Sequence, residues 1–173
     1  MKKIIFGYQR PLLVRSCRLL IVIMALTLLV SARGYSVYGR CMEPELITGE
    51  RLIASPVDPT RYKPRRGDVV IFQYPGDKSV NYVKRVIGTP GDIVEIKRGR
   101  LILNGRELKE PYKLLDSHGD FGPETVKAGN LFVLGDNRDV SNDSRFWGEL
   151  PVANVEAKAV FHYWPPSRWG YVK

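Results

Sequence analysis

Asn81-Tyr82-Val83-Lys84-Arg85-Val86-Ile87-Gly88 reads as a β-strand, and that reading decides the fold class. Tyr82, Val83, Val86 and Ile87 are β-branched or aromatic, the residue types that fit a pleated surface. Pro90-Gly91 follows at once as a turn signal. Strand alternation puts Tyr82, Lys84 and Val86 on one face and Val83, Arg85 and Ile87 on the other. By this pattern alone Lys84 reads as a solvated strand lysine. It could act as a general base only where burial disfavours its ammonium form, since a free lysine has a pKa of ~10.4.

Similar runs recur on both sides, bounded by turn residues. Strands are expected at Tyr35–Tyr38, Arg51–Ala54, Asp68–Gln73, Val80–Gly88, Asp92–Lys97, Arg100–Leu103, Leu131–Leu134 and Val155–Trp164. Asn104-Gly105, inside Leu101–Leu108, is the strongest short hairpin signal in the chain. Residues 109–130 are polar, contain Pro111 and Pro123, and read as an extended loop. No long segment beyond the N-terminus has a 3.6-residue apolar period, so a single, mostly antiparallel β domain is expected.

The chain has 173 residues, a length that suits one domain or one domain plus an appendage. With 44% apolar and 26% charged residues it is neither disordered nor fibrous. The formal net charge is +9. Lys2, Lys3, Arg10, Arg15, Arg18 and Arg33 supply most of it, and the first 33 residues hold no acid. The remainder is nearly balanced, which argues against a nucleic-acid partner despite the basic cluster Arg61, Lys63, Arg65 and Arg66. Only Cys17 and Cys41, His118 and His162 are available as soft metal ligands, so neither a disulfide scaffold nor a bound metal is expected.

Leu19 to Val30 carries no charge, and Ser31 and Ala32 extend the run. Its length is roughly 21 Å as a helix, short of a ~30 Å hydrocarbon core unless flanking arginines snorkel. Three readings fit: a transmembrane anchor, a cleaved signal peptide ending near Val30-Ser31-Ala32, or a buried helix. The first two agree on export. The basic flank places the N-terminus inside and the rest of the chain outside. Cys41 is then a free thiol in an oxidising compartment.

Cys41 stands in Val37-Tyr38-Gly39-Arg40-Cys41-Met42-Glu43-Pro44-Glu45-Leu46. This segment resembles the nucleophile box of type I signal peptidases, membrane-bound enzymes that cut signal peptides from exported proteins. Arg66 to Phe72 resembles their Arg-Gly-Asp strand, and Tyr82 to Asp92 the box with the general-base lysine. Gly99 to Tyr112 resembles the connecting region, and Gly135 to Gly148 the most distinctive box. Five matches in order over residues 37–148 make the resemblance specific.

The resemblance implies a mostly β fold, an antiparallel sheet or barrel-like catalytic domain behind one N-terminal transmembrane helix. The organisation expected is a cytoplasmic basic N-terminus at 1–18, a transmembrane signal-anchor at 19–32 and an extracytoplasmic catalytic domain at 33–173. It implies a single-pass protein of the bacterial cytoplasmic membrane, acting on exported precursors beside membrane lipid and needing no cofactor. By position it implies a dyad of Cys41 and Lys84, with Ser141 holding the lysine amine and Asp143 and Arg145 bracing the site. It implies oxyanion donors at Gly39 and Cys41, and pocket walls at Met42, Tyr82 and Val83.

One departure stands out: the family has serine where this chain has Cys41. A thiol is easier to deprotonate than a hydroxyl, so nucleophilic catalysis remains open to it. Sulfur is larger, however, and its attack geometry differs. The alternative reading is therefore an impaired or inactive homologue that binds peptides without cutting them.

Overall fold

A computed structural model of the chain describes residues 33–112 and 119–173, all within one compact unit, Arg33–Lys173. The expected anchor at 19–32, Cys17 and His118 lie outside the described residues. Among the described residues, no helix is long and apolar enough to cross a membrane.

Among the described residues twelve strands form two antiparallel sheets. In chain order they are β1 (Arg33–Ser36), β2 (Arg51–Pro56), β3 (Val69–Tyr74), β4 (Asp77–Gly88), β5 (Ile93–Lys97), β6 (Arg100–Leu103), β7 (Arg106–Glu107), β8 (Phe121–Thr125), β9 (Asn130–Leu134), β10 (Leu150–Pro151), β11 (Val155–Trp164) and β12 (Gly170–Tyr171). The larger sheet runs β1-β2-β11-β3-β4-β9-β10, with β12 on β11, and the smaller runs β7-β6-β5-β8. One four-residue helix, α1 (Ser144–Trp147), follows β9. The mostly β, antiparallel architecture agrees with the expected class.

The Asn104-Gly105 signal closes the β6–β7 hairpin, pairing Leu103 with Arg106. Both turn residues have positive φ, 52° and 76°, as a two-residue primed turn requires. The expected loop at 109–130 needs correction. Phe121–Thr125 forms β8 and pairs with β5, Ile96 facing Phe121 and Ile93 facing Thr125. Its Gly-Pro pair hides it in the sequence. A proline is tolerated there because β8 is the edge of its sheet.

Lys84 also departs from its strand pattern: it is only 3% exposed. The reason is that β4 has apolar layers on both faces. Val86 belongs to one buried cluster with Val70, Phe72 and Leu131, while Ile87 belongs to another with Val94, Leu101 and Phe132. Val83 packs against a third, built from Val37, Met42, Leu46, Leu52 and Ile71. A strand covered on both faces has no solvent side for its polar residues.

Candidate active site

Cys41 lies in the loop between β1 and β2. Two large side chains pin that loop from beneath, Met42 at 1% and Leu46 at 0% exposure. Leu46 N–H donates to the Met42 carbonyl at 2.8 Å, and Val37 N–H to the Glu50 carbonyl at 2.9 Å, closing the loop on itself. Gly39 has φ 89°, a left-handed conformation that favours glycine.

This loop meets β4 at the nucleophile position. Nζ of Lys84 is 3.0 Å from Sγ of Cys41 and donates to the Val83 carbonyl at 3.0 Å. The same carbonyl is 3.9 Å from Sγ. Among the described residues no carboxylate forms an ion pair with Lys84. Its amine also lies 5.1 Å from the centre of the Tyr82 ring, which stacks on Tyr74 at 4.6 Å.

The pair opens onto a cleft of about 630 Å³, lined by residues that include Tyr35, Gly39, Tyr82, Val83 and Val140. Met42 does not line it among the described residues, but sits in the core below. β9 pairs with β4 only from Arg85 onward. The stretch Asn81–Lys84 therefore has a strand neighbour, β3, on one side only, and its other edge runs along the cleft. The backbone N–H of Cys41 donates to no group among the described residues.

Residues 135–145 form the opposite support. Asn137 N–H donates to the Cys41 carbonyl at 3.0 Å. A Cβ on Gly135 would stand 2.3 Å from Oγ of Ser141 and 2.5 Å from the Cys41 carbonyl oxygen, so only glycine permits this approach. Asp143 accepts from Gly135 N–H at 3.1 Å and from Nε of Arg145 at 2.8 Å. Arg145 in turn donates to the carbonyls of Arg138 and Ser141. Both charges are nearly fully buried, the setting in which loss of one partner is costly. Oγ of Ser141 is buried and has no hydrogen-bond partner among the described residues, and so no bond to the Lys84 amine.

Reading from motifs did not single out Gly135, Asn137, Arg85 or Asp136 as functional supports. Arg85 and Asp136 form a buried ion pair at 2.6 Å that fastens β4 to the 135–145 loop next to Lys84. Burial pushes the Asp136 carboxyl upward, and the hydrogen bonds from Arg85 act against it. Alternation along β4 and the charges in Gly135–Arg138 were the only sequence signals for that pair. Among the described residues no group of three or more His, Cys, Asp or Glu side chains could hold a metal ion.

An amine thus lies against a thiol on the wall of a cleft in a β domain; comparison with known proteins gives the class of protein. The sequence profile of the family described as signal peptidase, peptidase S26, matches residues 12–164. The chain belongs to this family and is a peptidase. It is similar to signal peptidase I of Bacillus caldolyticus, with 37% identity over 95% of this chain and 94% of that one. It is 40% identical to signal peptidase I of Leptolyngbya laminosa over 75% of this chain and 67% of that one. The crystal structure of a signal peptidase I from Enterococcus faecalis V583 superimposes with a TM-score of 0.50 and 36% identity, covering 56% of this chain and 97% of that chain.

Proposed function

We propose that the protein is a membrane-anchored endopeptidase that removes signal peptides from exported precursors, with Cys41 as nucleophile and Lys84 as general base. The observation that carries this reading is the 3.0 Å contact between Sγ and Nζ on the wall of the cleft. The precursor segment lies extended along the unpaired edge of Asn81–Lys84 and adds a strand to the sheet. Tyr82 and Val83, with Met42 behind them, leave room for small side chains only.

The Lys84 amine takes the thiol proton, and sulfur attacks the scissile carbonyl. The Cys41 N–H, with Gly39 beside it, donates to the oxyanion; one such donor is typically worth ~100-fold or more in rate. Lys84 then passes its proton to the leaving amine and next activates water, which releases the thioester. Asp143 and Arg145 keep the loop in place, and the Ser141 hydroxyl, which makes no bond to the Lys84 amine in the free site, takes up that amine once the precursor is bound. Residues 19–32 anchor the chain in the bacterial cytoplasmic membrane, with residues 1–18 inside and the catalytic domain outside.

A precursor-cleavage assay with the full chain in detergent tests this. Lys84→Met and Cys41→Ala each lower the cleavage rate by at least ~100-fold. Undiminished cleavage in either variant would show the dyad to be wrong. An unaltered chain that binds a signal peptide without cutting it would instead favour the peptide-binding reading, and a gain in Cys41→Ser would show that the thiol handicaps the site.

A further inference from the structure

The contact between Cys41 and Lys84 has a second chemical possibility that a serine at the same position lacks. A thiol can be oxidised, and an amine held against its sulfur can then bond to it. Sγ and Nζ are 3.0 Å apart, within the range of a near-attack arrangement. Among the described residues no carboxylate holds the amine in an ion pair, and its other hydrogen bond goes to a backbone carbonyl. Cys41 is partly exposed and lines the cleft, so a small oxidant reaches its sulfur from solvent.

A third group completes the site. Ser141 is only 4% exposed, and its Oγ has no hydrogen-bond partner among the described residues. Oγ and the Cys41 carbonyl oxygen both crowd Gly135, so the hydroxyl lies beside the nucleophile's own residue. A buried hydroxyl with spare donor and acceptor capacity is suited to hydrogen-bond an oxygen carried on sulfur.

We propose that Cys41 and Lys84 form a reversible sulfenamide cross-link when the protein meets a hydroperoxide, switching the site off. The Cys41 thiolate attacks one peroxide oxygen; the O–O bond breaks, sulfur is oxidised by two electrons to the sulfenic acid, and the peroxide leaves as hydroxide or alkoxide. The Lys84 amine then attacks sulfur; the S–N bond forms as the S–O bond breaks, and the sulfenic oxygen departs as water with one amine proton. Ser141 hydrogen-bonds that oxygen as it leaves. An external thiol reverses the link: it attacks sulfur and frees the amine, and a second thiol releases Cys41 with formation of a small-molecule disulfide. The proximity of the amine lets this path outrun further oxidation to the irreversible sulfinic acid.

The test uses the full chain carrying Cys17→Ser, in detergent, treated with hydrogen peroxide without any precursor. The intact mass falls by about 2 Da, tryptic mapping joins the Cys41 peptide to the Lys84 peptide, and dithiothreitol reverses both changes. Cleavage activity falls by at least ~10-fold in the cross-linked form and returns on reduction. In Lys84→Met the lighter species is absent and Cys41 instead gains about 16 or 32 Da. A gain of that kind in the parent chain with Lys84 unlinked, an unchanged mass, or a loss of about 2 Da that persists in Lys84→Met would overturn the proposal. Mass is read without substrate, so a chain that cross-links but does not cleave would sink the proposed function alone, and the converse would sink only the switch.

Discussion

The backbone N–H of Asn137 donates to the carbonyl of Cys41 over 3.0 Å, so the loop after β9 holds the very residue that carries the thiol. The position of Sγ therefore depends on the 135–145 loop as well as on β4.

Gly135→Ala tests that dependence. The new methyl would stand 2.3 Å from Oγ of Ser141 and 2.5 Å from the Cys41 carbonyl oxygen. One of the two loops must move. We expect a loss of about 1–3 kcal/mol in stability, as for other overpacked sites, and a fall in kcat of at least ~10-fold. Denaturant unfolding and the cleavage assay measure the two effects; an unchanged kcat would show that the approach does not set the geometry of the thiol.

Ser141→Ala separates stability from activity. Its hydroxyl is buried and has no partner among the described residues, so removing it relieves a desolvation cost and should leave the melting temperature unchanged or higher. The proposed positioning of the lysine amine predicts a lower kcat with little change in KM. Parallel loss of stability and activity would mean that the hydroxyl acts through packing alone.

Asp143→Ala removes one member of a buried charge pair and leaves Arg145 and the Gly135 N–H without their carboxylate. The expected cost is about 3–5 kcal/mol, measured by denaturant unfolding. Arg145→Met should cost less, because the Asp143 carboxylate keeps two backbone donors, from Gly135 and Arg145 itself. If the two variants lost equal stability, the ion pair and not the loop's backbone hydrogen bonds would be the main bond.

Asp92 contributes stability that is lost in acid. Burial alone would raise its carboxyl, but the Thr89 backbone N–H, the Asn104 amide, the Thr89 hydroxyl and the Arg66 guanidinium together outweigh it and hold it at about 2. A carboxyl lowered in the folded state stabilises the fold above its unfolded value of ~3.9, and that contribution disappears as pH falls through about 2. Asp92→Asn should therefore cost about 2 kcal/mol at neutral pH and almost nothing near pH 2. A cost independent of pH would assign the effect to packing.

The β class, most strands and the hairpin at Asn104-Gly105 were legible in the sequence, because alternation and turn chemistry are local signals. β8 was not, because Gly122 and Pro123 interrupt the strand-favouring Phe121 and Thr125, and the segment becomes a strand only by pairing with β5. The Cys41–Lys84 pairing was legible only through the resemblance of its two boxes to those of signal peptidases. The strand pattern alone put Lys84 in solvent, since burial from both faces is a property of the assembled sheet. Gly135 was missed as a support for a similar reason: its value lies in two segments distant in sequence that meet over it.

Met42 and Leu46 follow the thiol on one short loop, and both side chains belong to the same buried cluster as Leu52 and Ile71. The loop cannot drift without opening that cluster, so the hydrogen-bonded amide protons of Val37 and Leu46 should exchange with solvent only as the whole domain opens. Aim and endurance thus draw on one set of methyl and methylene contacts, and a change that softens this corner of the interior blunts the cutting edge well before the chain unfolds.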